Sequence, residues 1–439
     1  MKLPEYVLDC IDALEGAGFA AYAVGGCVRD SILGLEPADF DLCTAALPEQ
    51  TEAVFAGRKL VLAGKKHGTV GVVTCCGVVE ITTFRTEGDY RDNRHPEWVA
   101  FVDDITADLA RRDFTVNAMA YSPTRGFADP FGGREDLRNG VLRAVGDPQQ
   151  RFREDSLRIL RGARFAAKYR LTPDPATANA MTALTGLMEN LARERVFEEL
   201  CKLLMVCNAA DLERFAPVVT AVIPELAQTL GFQQHNPHHT HDVYGHTIRV
   251  VEGVPAILPL RWAALLHDIG KPATFSLDEN GVGHFYGHPR VSAEMADRIL
   301  HRLKAPTALR EQTVFLTKAH MVTLEPDRKL LRRRLSQYGE ENVRLLLALQ
   351  LADFRGKGTD CTEETRYFRT VEAALAEVLA EESCLRIKDL AVNGNDLLRL
   401  GITGKSIGLC LQFLLDQVLD ETIENDKDAL LKAAGQFTP

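Results

Sequence analysis

The sequence predicts an α+β protein: a small N-terminal α/β part built on a mixed sheet, followed by an almost entirely helical remainder. Runs rich in β-forming residues at 19–24, 68–74 and 78–84 alternate with helical patterns before residue 140. Beyond Gly146 the pattern is helical almost throughout. The length of 439 residues indicates two or more domains, since a typical domain has about 100–200.

The composition is ordinary for a globular protein, with 46% hydrophobic and 26% charged residues. We expect no membrane span, because no apolar run approaches roughly 20 residues, and no signal peptide, because the N-terminus is acidic. The 10 cysteines include no Cys-x-x-Cys pair, which indicates reduced thiols and a cytoplasmic location. The net charge of −10 argues against a broad, non-specific grip on nucleic acid. Residues 85–170 nevertheless carry 16 basic and 14 acidic side chains, so a local basic groove is compatible with the sequence.

The first candidate site is the turn after the strand at 19–24. Gly25 and Gly26 let the backbone approach a phosphate, and the N–H groups that open the next helix favour an anion. Arg29 in that helix adds a cation.

Two carboxylates follow at Asp39 and Asp41, on either side of Phe40. In a strand these carboxylates share one face while Phe40 points into the core. Mg²⁺ commonly takes one or two carboxylates plus substrate phosphates, so the pair predicts a magnesium platform beside the phosphate cradle. Glu80, in the strand at 78–84, is a candidate third carboxylate. This equipment suits metal-assisted in-line displacement at a phosphate.

Residues 85–99 are polar and charged and contain Gly and Pro, which predicts a long loop of the kind that is often functional. In the run 111–118 that follows, we expect Arg112 and Asp113 to hold each other and to meet a ribose hydroxyl or a triphosphate.

A helix is predicted over 151–165, with Leu157, Leu160 and Phe165 on its buried side. A second series recurs every third residue along one side: Asp155, Arg158, Arg161 and Arg164. A carboxylate only accepts hydrogen bonds and a guanidinium only donates. Asp155 and Arg158 therefore fit the pairing edges of C and A and mismatch those of U and G. Arg161 and Arg164 support this helix or reach the nucleotide.

Together these motifs resemble the polymerase-beta-like nucleotidyltransferases, in particular the class II tRNA nucleotidyltransferase and poly(A) polymerase family. The resemblance rests on 22–30 with 39–41, on 111–118, and on Glu154-Asp155-x-x-Arg158. It implies Mg²⁺-dependent, template-independent addition of C, C and A to the tRNA 3′ end from CTP and ATP. Asp39, Asp41 and Glu80 would be catalytic, and the loop at 85–99 would serve addition of the final adenosine. The motif at 194–204 would brace the base-reading helix.

A histidine-rich stretch lies inside the helical part. His267-Asp268, followed by Gly270-Lys271-Pro272, resembles the signature of the HD phosphohydrolases. That resemblance implies a metal site and adds the ligands His246, His288, His320 and Asp353. Imidazole and carboxylate ligands suit Mn, Ni, Co, Fe or Zn.

We therefore predict a nucleotidyltransferase head at 1–140, a helical neck at 141–234, an HD-type domain at 235–360 and a tRNA-binding helical tail at 361–439. Four alternatives stay open: a poly(A) polymerase, a partial enzyme adding only CC or only A, an HD hydrolase acting on phosphate esters or cyclic phosphates, and a non-catalytic RNA-binding module. The sequence does not determine the oligomeric state.

Overall fold

The protein is described by a computed structural model that covers residues 1–88, 99–236, 240–381 and 384–437. These residues form two compact units, Met1–Pro224 and Glu225–Pro439. The four-part division predicted above is finer than this and remains a prediction. Most of the predicted loop at 85–99 lies outside the described residues, which resume at Val99.

The first unit combines short strands with helices. In chain order its elements are α1 (Glu5–Gly16), β1 (Ala21–Val24), α2 (Gly26–Ile32), β2 (Leu42–Thr44), α3 (Pro48–Val54), β3 (Leu60–Val61), β4 (Thr69–Thr74), β5 (Gly77–Thr83), β6 (Arg85–Glu87), β7 (Val99–Phe101), α4 (Ile105–Ala110), β8 (Ala120–Ser122), β9 (Gly126–Ala128), α5 (Gly133–Arg138), β10 (Val141–Leu142), α6 (Pro148–Glu154), α7 (Leu157–Tyr169), β11 (Thr172–Pro173), α8 (Pro175–Ala183), α9 (Arg193–Leu204), α10 (Ala209–Arg214) and α11 (Ala216–Val222).

The main sheet has seven strands in the order β3-β4-β5-β2-β1-β8-β9. It is mixed, because β2 and β5 are parallel whereas the other neighbours are antiparallel. The predicted α+β class is confirmed. The register pairs Leu42 of β2 with Ile81 of β5, so the residues just before them, Asp41 and Glu80, come to the same place on the sheet.

A buried cluster behind the two central strands holds the sheet to the segments that carry the site. Tyr22, Val24, Cys43 and Phe84 pack there with Leu109 of α4. Burial of each such side chain contributes roughly 1.5–3 kcal/mol. This packing fixes the ends of β1 and β2 relative to α4.

The predicted continuous helix over 151–165 is wrong. Helix α6 ends at Glu154, and Asp155 is extended, with φ −140° and ψ 102°. The Asp155 side chain accepts a hydrogen bond from the backbone N of Leu157 at 3.0 Å and so satisfies a free donor at the start of α7. The predicted buried positions Leu157, Leu160 and Phe165 are confirmed.

The second unit is helical apart from one short hairpin. Its elements are α12 (Val243–Gly253), α13 (Leu258–Leu266), β12 (Ser276–Leu277), β13 (Gly283–His284), α14 (His288–Arg302), α15 (Thr307–Ala319), α16 (Arg328–Tyr338), α17 (Glu340–Gly356), α18 (Thr362–Ala380), α19 (Gly394–Arg399), α20 (Lys405–Leu419) and α21 (Lys427–Ala434). Helix α12 packs against α13 and α17, while α15 packs against α13 and α14. Within the described part of the chain, none of the helices combines the length and apolar character of a membrane span.

Candidate active site

The turn at Gly25 and Gly26 has the shape that the sequence predicts. Gly25 has φ +73°, in the region that favours glycine, and its N–H donates to the carbonyl of Met119 at 3.0 Å. A Cβ on Gly25 would lie 2.8 Å from Nη1 of Arg112. The turn therefore needs glycine for its conformation, and the bare backbone leaves room for the guanidinium of Arg112.

Arg29 is a fixed cation of the cavity wall, with a protein partner at each guanidinium nitrogen. Only 5% exposed, it donates from Nε to Asp30 at 2.8 Å, from Nη1 to the amide oxygen of Asn117, and from Nη2 to the Tyr169 hydroxyl. Its guanidinium carbon lies 4.2 Å from the centre of the Tyr169 ring. These contacts tie α2 to α7.

Asp41 stands at the end of the sheet. The predicted strand through Asp39 and Asp41 is wrong, since β2 begins at Leu42 and Phe40 is half-buried against Tyr6. The carbonyl of Asp41 still accepts from the N–H of Val24 at 3.0 Å, which aligns it with β1.

Negative charge is concentrated around Asp41. Loss of hydration in the cleft, together with the charges of Asp39 and Glu80, raises the pKa of Asp41 to about 6, although Arg112 opposes the shift. Among the described residues, sets of at least three ligand atoms within 4.8 Å of one another occur only in the second unit. Asp39, Asp41 and Glu80 are thus an open set, which fits an ion that completes its shell with substrate oxygens.

The predicted pairing of Arg112 with Asp113 is wrong. Nη2 of Arg112 lies 3.5 Å from Asp108, whereas Asp113 accepts from Arg161 at 2.7 and 2.9 Å and from Asn117 at 2.9 Å. Burial alone would raise the pKa of Asp113, but the charge of Arg161 and these hydrogen bonds lower it to about 2.

Asp155 and Arg158 both face the cavity, each held by a different partner. Asp155 accepts from Arg195 of α9 at 2.9 Å. Arg158 donates to Glu154 at 2.8 Å and to the carbonyl of Arg111 at 3.0 Å. The carboxylate and the guanidinium are therefore fixed separately.

Arg161 and Arg164 lie against Phe165, with their guanidinium carbons 5.2 and 4.2 Å from its ring centre. Nε of Arg164 donates to the buried Glu199 of α9 at 2.6 Å. Helix α9 thus braces α7 through Arg195 and Glu199, the role implied by the resemblance of its motif.

These side chains share one cavity of about 480 Å³. The predicted residues that line it are Gly25, Gly26, Arg29, Asp41, Arg112, Asp113, Asp155, Arg158, Arg161 and Arg164. Asp39 and Glu80 lie beside it and act on Asp41 through charge.

Some lining residues were missed by sequence reasoning: Arg111, Asn117, Lys168, Tyr169 and Arg195. Lys168 follows Arg164 by four residues and so continues the same helix face, a signal that was available. Asn117 follows Asp113 by four residues in a turn, and the sequence does not indicate that contact.

The second unit brings together all six residues of the predicted histidine-rich site. One group of possible metal ligands is His246, His267, Asp268 and Asp353, and the other is Asp268, His288 and His320. Nε2 of His246 lies 2.9 Å from Asp353 and 3.4 Å from Asp268, while Nε2 of His288 lies 3.2 Å from Asp268. Asp268 belongs to both groups: its Oδ2 faces His246 and His267, and its Oδ1 faces His288 and His320.

Backbone carbonyls orient three of these rings. Nδ1 of His267, His288 and His320 lies 2.7–2.8 Å from the carbonyls of Ala264, Phe285 and Thr317. A proton on Nδ1 leaves Nε2 facing the cluster with a free lone pair.

Negative charge dominates this cluster too. Burial opposes protonation of His267, but Asp268 and Asp353 raise its pKa to about 10. Burial and the charge of His267 lower the pKa of His320 to about 4. At neutral pH and without a bound ion, the two carboxylates therefore keep a proton on His267, which a metal cation would have to replace, whereas His320 is neutral.

Comparisons with known proteins agree with this geometry. Residues 21–143 match the family model "Poly A polymerase head domain", and residues 285–434 match "tRNA nucleotidyltransferase domain 2". The chain is 33% identical to the CCA-adding enzyme of Limosilactobacillus fermentum over 433 residues, which cover 97% of this chain and 95% of that protein. It is 42% identical to the CCA-adding enzyme of Geobacillus stearothermophilus over 230 residues, about half of each chain.

Solved structures show the same architecture. The crystal structure of the Bacillus stearothermophilus CCA-adding enzyme in complex with CTP matches with a TM-score of 0.75 and 27% identity, and it covers 99% of this chain and 98% of that one. The family also implies catalysis with a divalent metal. By its match along nearly the whole length of a curated relative, the chain belongs to the family of CCA-adding enzymes.

Proposed function

We propose that this protein adds C, C and A to the 3′ end of tRNA from CTP and ATP, without a nucleic-acid template. One observation carries the proposal: the phosphate-approach turn, a metal carboxylate and the Asp155–Arg158 reading pair line the same cavity. A nucleoside triphosphate offers a partner to each of them: phosphates to the turn and the metal, and a base to Asp155 and Arg158.

Mg²⁺ is the metal we propose, held by Asp39 and Asp41 with Glu80 beside them. The raised pKa of Asp41 supports this, because it reflects loss of hydration first and then the negative charges of Asp39 and Glu80, which Arg112 offsets only in part. When bound, the ion supplies Lewis-acid polarisation of the phosphate and lowers the pKa of the tRNA 3′ hydroxyl.

The triphosphate is assigned to the turn at Gly25 and Gly26, with Arg29 and Arg112 as its cations. Both guanidinium groups are held by protein contacts, so little side-chain freedom is lost when a nucleotide binds. Asp113 and Arg112 are assigned to the ribose end.

Asp155 and Arg158 are assigned to the base. Asp155 accepts from the amino group of C or A, and Arg158 donates to the adjacent ring nitrogen. U and G present the opposite pattern, so each would leave polar groups in the cleft without partners. Such mismatches can discriminate by about 10⁴-fold. Arg161 holds Asp113 in place, and Arg164 holds α7 against α9.

The test uses purified protein with Mg²⁺ and tRNA that ends before CCA, after C, or after CC. Labelled CTP, ATP, UTP or GTP is supplied, and products are resolved to one nucleotide. Addition of C, C and A followed by a stop is expected. Long A tails would identify a poly(A) polymerase, growth by only CC or only A a partial enzyme, and no growth on any tRNA would overturn the proposal.

A variant separates catalysis from RNA binding. Asp41→Asn should lose at least about 10³-fold in incorporation while it still binds tRNA, because the change removes a metal ligand and not an RNA contact. Asp12→Asn, an exposed residue of α1, is the matched control. Full activity of Asp41→Asn would contradict the assignment of Asp41.

A second function is favoured by the six-residue cluster of the second unit: metal-dependent hydrolysis of phosphate esters or cyclic phosphates. Buried imidazole and carboxylate groups converge there with oriented rings, which suits Mn, Ni, Co, Fe or Zn. Lys271, whose Nζ lies 2.7 Å from Asp268, adds a cation beside the cluster.

Hydrolysis of bis-p-nitrophenyl phosphate and of a 2′,3′-cyclic nucleotide, with each metal added in turn, tests this function. Turnover that disappears in His267→Ala and persists in His301→Ala is expected, because His301 is exposed and outside the cluster. Metal binding without turnover would leave a structural metal site. If the protein showed no metal binding and no turnover, the second function would be ruled out.

A further inference from the structure

A chain of buried polar contacts crosses the cavity wall through Asn117. The amide oxygen of Asn117 accepts from Nη1 of Arg29 in α2, and its amide nitrogen donates to Oδ1 of Asp113 at 2.9 Å. Asp113 accepts in turn from Arg161 in α7 at 2.7 Å. Asn117 is 6% exposed and lies in the short turn Thr115–Asn117.

The position demands an amide. Arg29 only donates and an ionised Asp113 only accepts, so the group between them must accept on one side and donate on the other. A carboxylate at this position would meet Asp113 with like charge, and an apolar side chain would remove the acceptor of Arg29 Nη1 and one of the donors to Asp113.

The two ends of this chain hold different parts of a nucleotide in the proposed function. Arg29 lies at the turn assigned to the triphosphate, and Asp113 lies at the end assigned to the ribose. Tyr169 of α7 accepts from Arg29 as well, so α2 and α7 are joined twice, directly and through Asn117.

We propose that Asn117 is a positioning residue for nucleotide addition. Its amide fixes the distance between Arg29 and Asp113, so that the triphosphate and the ribose are held at a constant distance from each other. The proposal rests on the proposed function. Both groups are common to CTP and ATP, so Asn117 acts equally on both nucleotides and leaves base selection to Asp155 and Arg158.

Asn117→Asp tests this with almost no change in shape. At pH 8.5 the introduced carboxylate faces Asp113, with Arg29 and Arg161 as the nearby cations, and kcat/KM for CTP and for ATP should fall by about 10–100-fold. At pH 6 a protonated carboxyl can donate to Asp113 and accept from Arg29, as the amide does. The ratio of variant to wild-type kcat/KM should therefore rise as the pH falls.

The wild-type protein in the same assay separates the two proposals, because failure of the wild type to add C, C and A removes the proposed function itself. With an active wild type, three results overturn the role of Asn117: an unchanged variant at pH 8.5, a deficit that is the same at pH 6, or a changed preference for C and A over U and G.

Asn117→Ala is the second variant for this test, to be used if the Tm shows that Asn117→Asp does not fold. It removes both contacts without adding charge, so KM for CTP and ATP should rise together by about tenfold, at all pH values between 6 and 8.5, with base preference retained. An unchanged KM for both nucleotides would overturn the proposal.

Discussion

At the residue scale, the site depends on charges that protein contacts balance unevenly. Asp113 is balanced by Arg161 and Asn117, and its pKa falls to about 2. Asp41 has no such pairing within the described part of the chain, and loss of hydration together with the charges of Asp39 and Glu80 raises its pKa to about 6. The first carboxylate stabilises the fold, and the second is the one that we propose binds a metal.

The Asp41 carboxylate should lower the stability of the fold at pH values at which it is ionised. A carboxyl with a folded pKa near 6, above its unfolded value near 4, disfavours the fold above pH 6, and the cost is relieved as the pH falls from 6 to 4. We expect Asp41→Asn to raise the Tm of the metal-free protein at pH 8 and to leave it unchanged at pH 4.

Differential scanning fluorimetry with a chelator present checks this. Added Mg²⁺ should raise the Tm of the wild type more at pH 8 than at pH 5, and this difference should vanish in Asp41→Asn. A lower Tm for Asp41→Asn at pH 8 would show that the carboxylate is a structural partner.

Arg161→Ala should destabilise the first unit by leaving the buried Asp113 charge short of a partner. A fully buried pair broken in this way costs about 3–5 kcal/mol. We expect about 2–3 kcal/mol, because the Arg161 side chain keeps 34% of its surface exposed and is screened by solvent.

Urea denaturation measures this loss, and Arg153→Ala, an exposed arginine of α6, is its control. The folded pKa of Asp113 lies below its unfolded value, so the stabilisation is complete above about pH 4 and is lost as the pH falls toward 2. A deficit that persists at pH 2 would assign the effect of Arg161 to packing.

At the element scale, the break between α6 and α7 decides where the Asp155 carboxylate lies relative to Arg158. Had the helix continued through 151–165, Asp155 would have stood on the same helical face as Arg158. The break instead turns Asp155 toward α9, where Arg195 holds it at 2.9 Å. The sequence pattern did not predict the break, because Glu154, Asp155 and Ser156 are compatible with either a helix or a cap.

Arg195→Ala should therefore reduce base selection more than stability. A carboxylate displaced by about 1 Å no longer matches the amino group of C or A, and a misplacement of this size costs about 10²-fold. We expect the preference for CTP and ATP over UTP and GTP to fall by roughly 10–100-fold.

Single-turnover incorporation of each nucleotide measures that preference. Arg193→Ala is the matched control, since Arg193 is an arginine at the start of the same helix that donates to the backbone carbonyl of Glu189 at 3.0 Å. Retained preference in Arg195→Ala would mean that Asp155 is positioned by its contact with Leu157 alone.

At the scale of the whole molecule, the two sites belong to separate compact units. A metal bound by the second cluster should stabilise its own unit. A ligand at 100 times its Kd contributes about 2.7 kcal/mol. For a unit of this size the shift in Tm is about 5–10 °C.

We expect Mn²⁺ added after chelation to raise the Tm of one thermal transition of the wild type. This rise in Tm should be absent in His267→Ala. Addition of C, C and A with Mg²⁺ should be the same in both proteins. Loss of nucleotide addition in folded His267→Ala would instead link the two sites.

The sequence alone determined the residue types and therefore the chemistry. The turn glycines, the paired carboxylates and the Asp155 and Arg158 motif follow from local patterns, whereas the six metal-ligand candidates follow from the resemblance carried by His267-Asp268. The structure places Gly25, Gly26, Asp41, Asp155 and Arg158 around one cavity and the six candidates in another cluster.

Only the tertiary structure decided which charge meets which. Asp113 pairs with Arg161, Asp155 with Arg195, and Arg29 with the amide of Asn117. These choices depend on the packing of α7 against α9 and on the sheet that places Asp41 beside Glu80. Contacts between residues 40 or more positions apart leave no periodic signal in a sequence, because each is set by the meeting of two elements and not by the spacing within one.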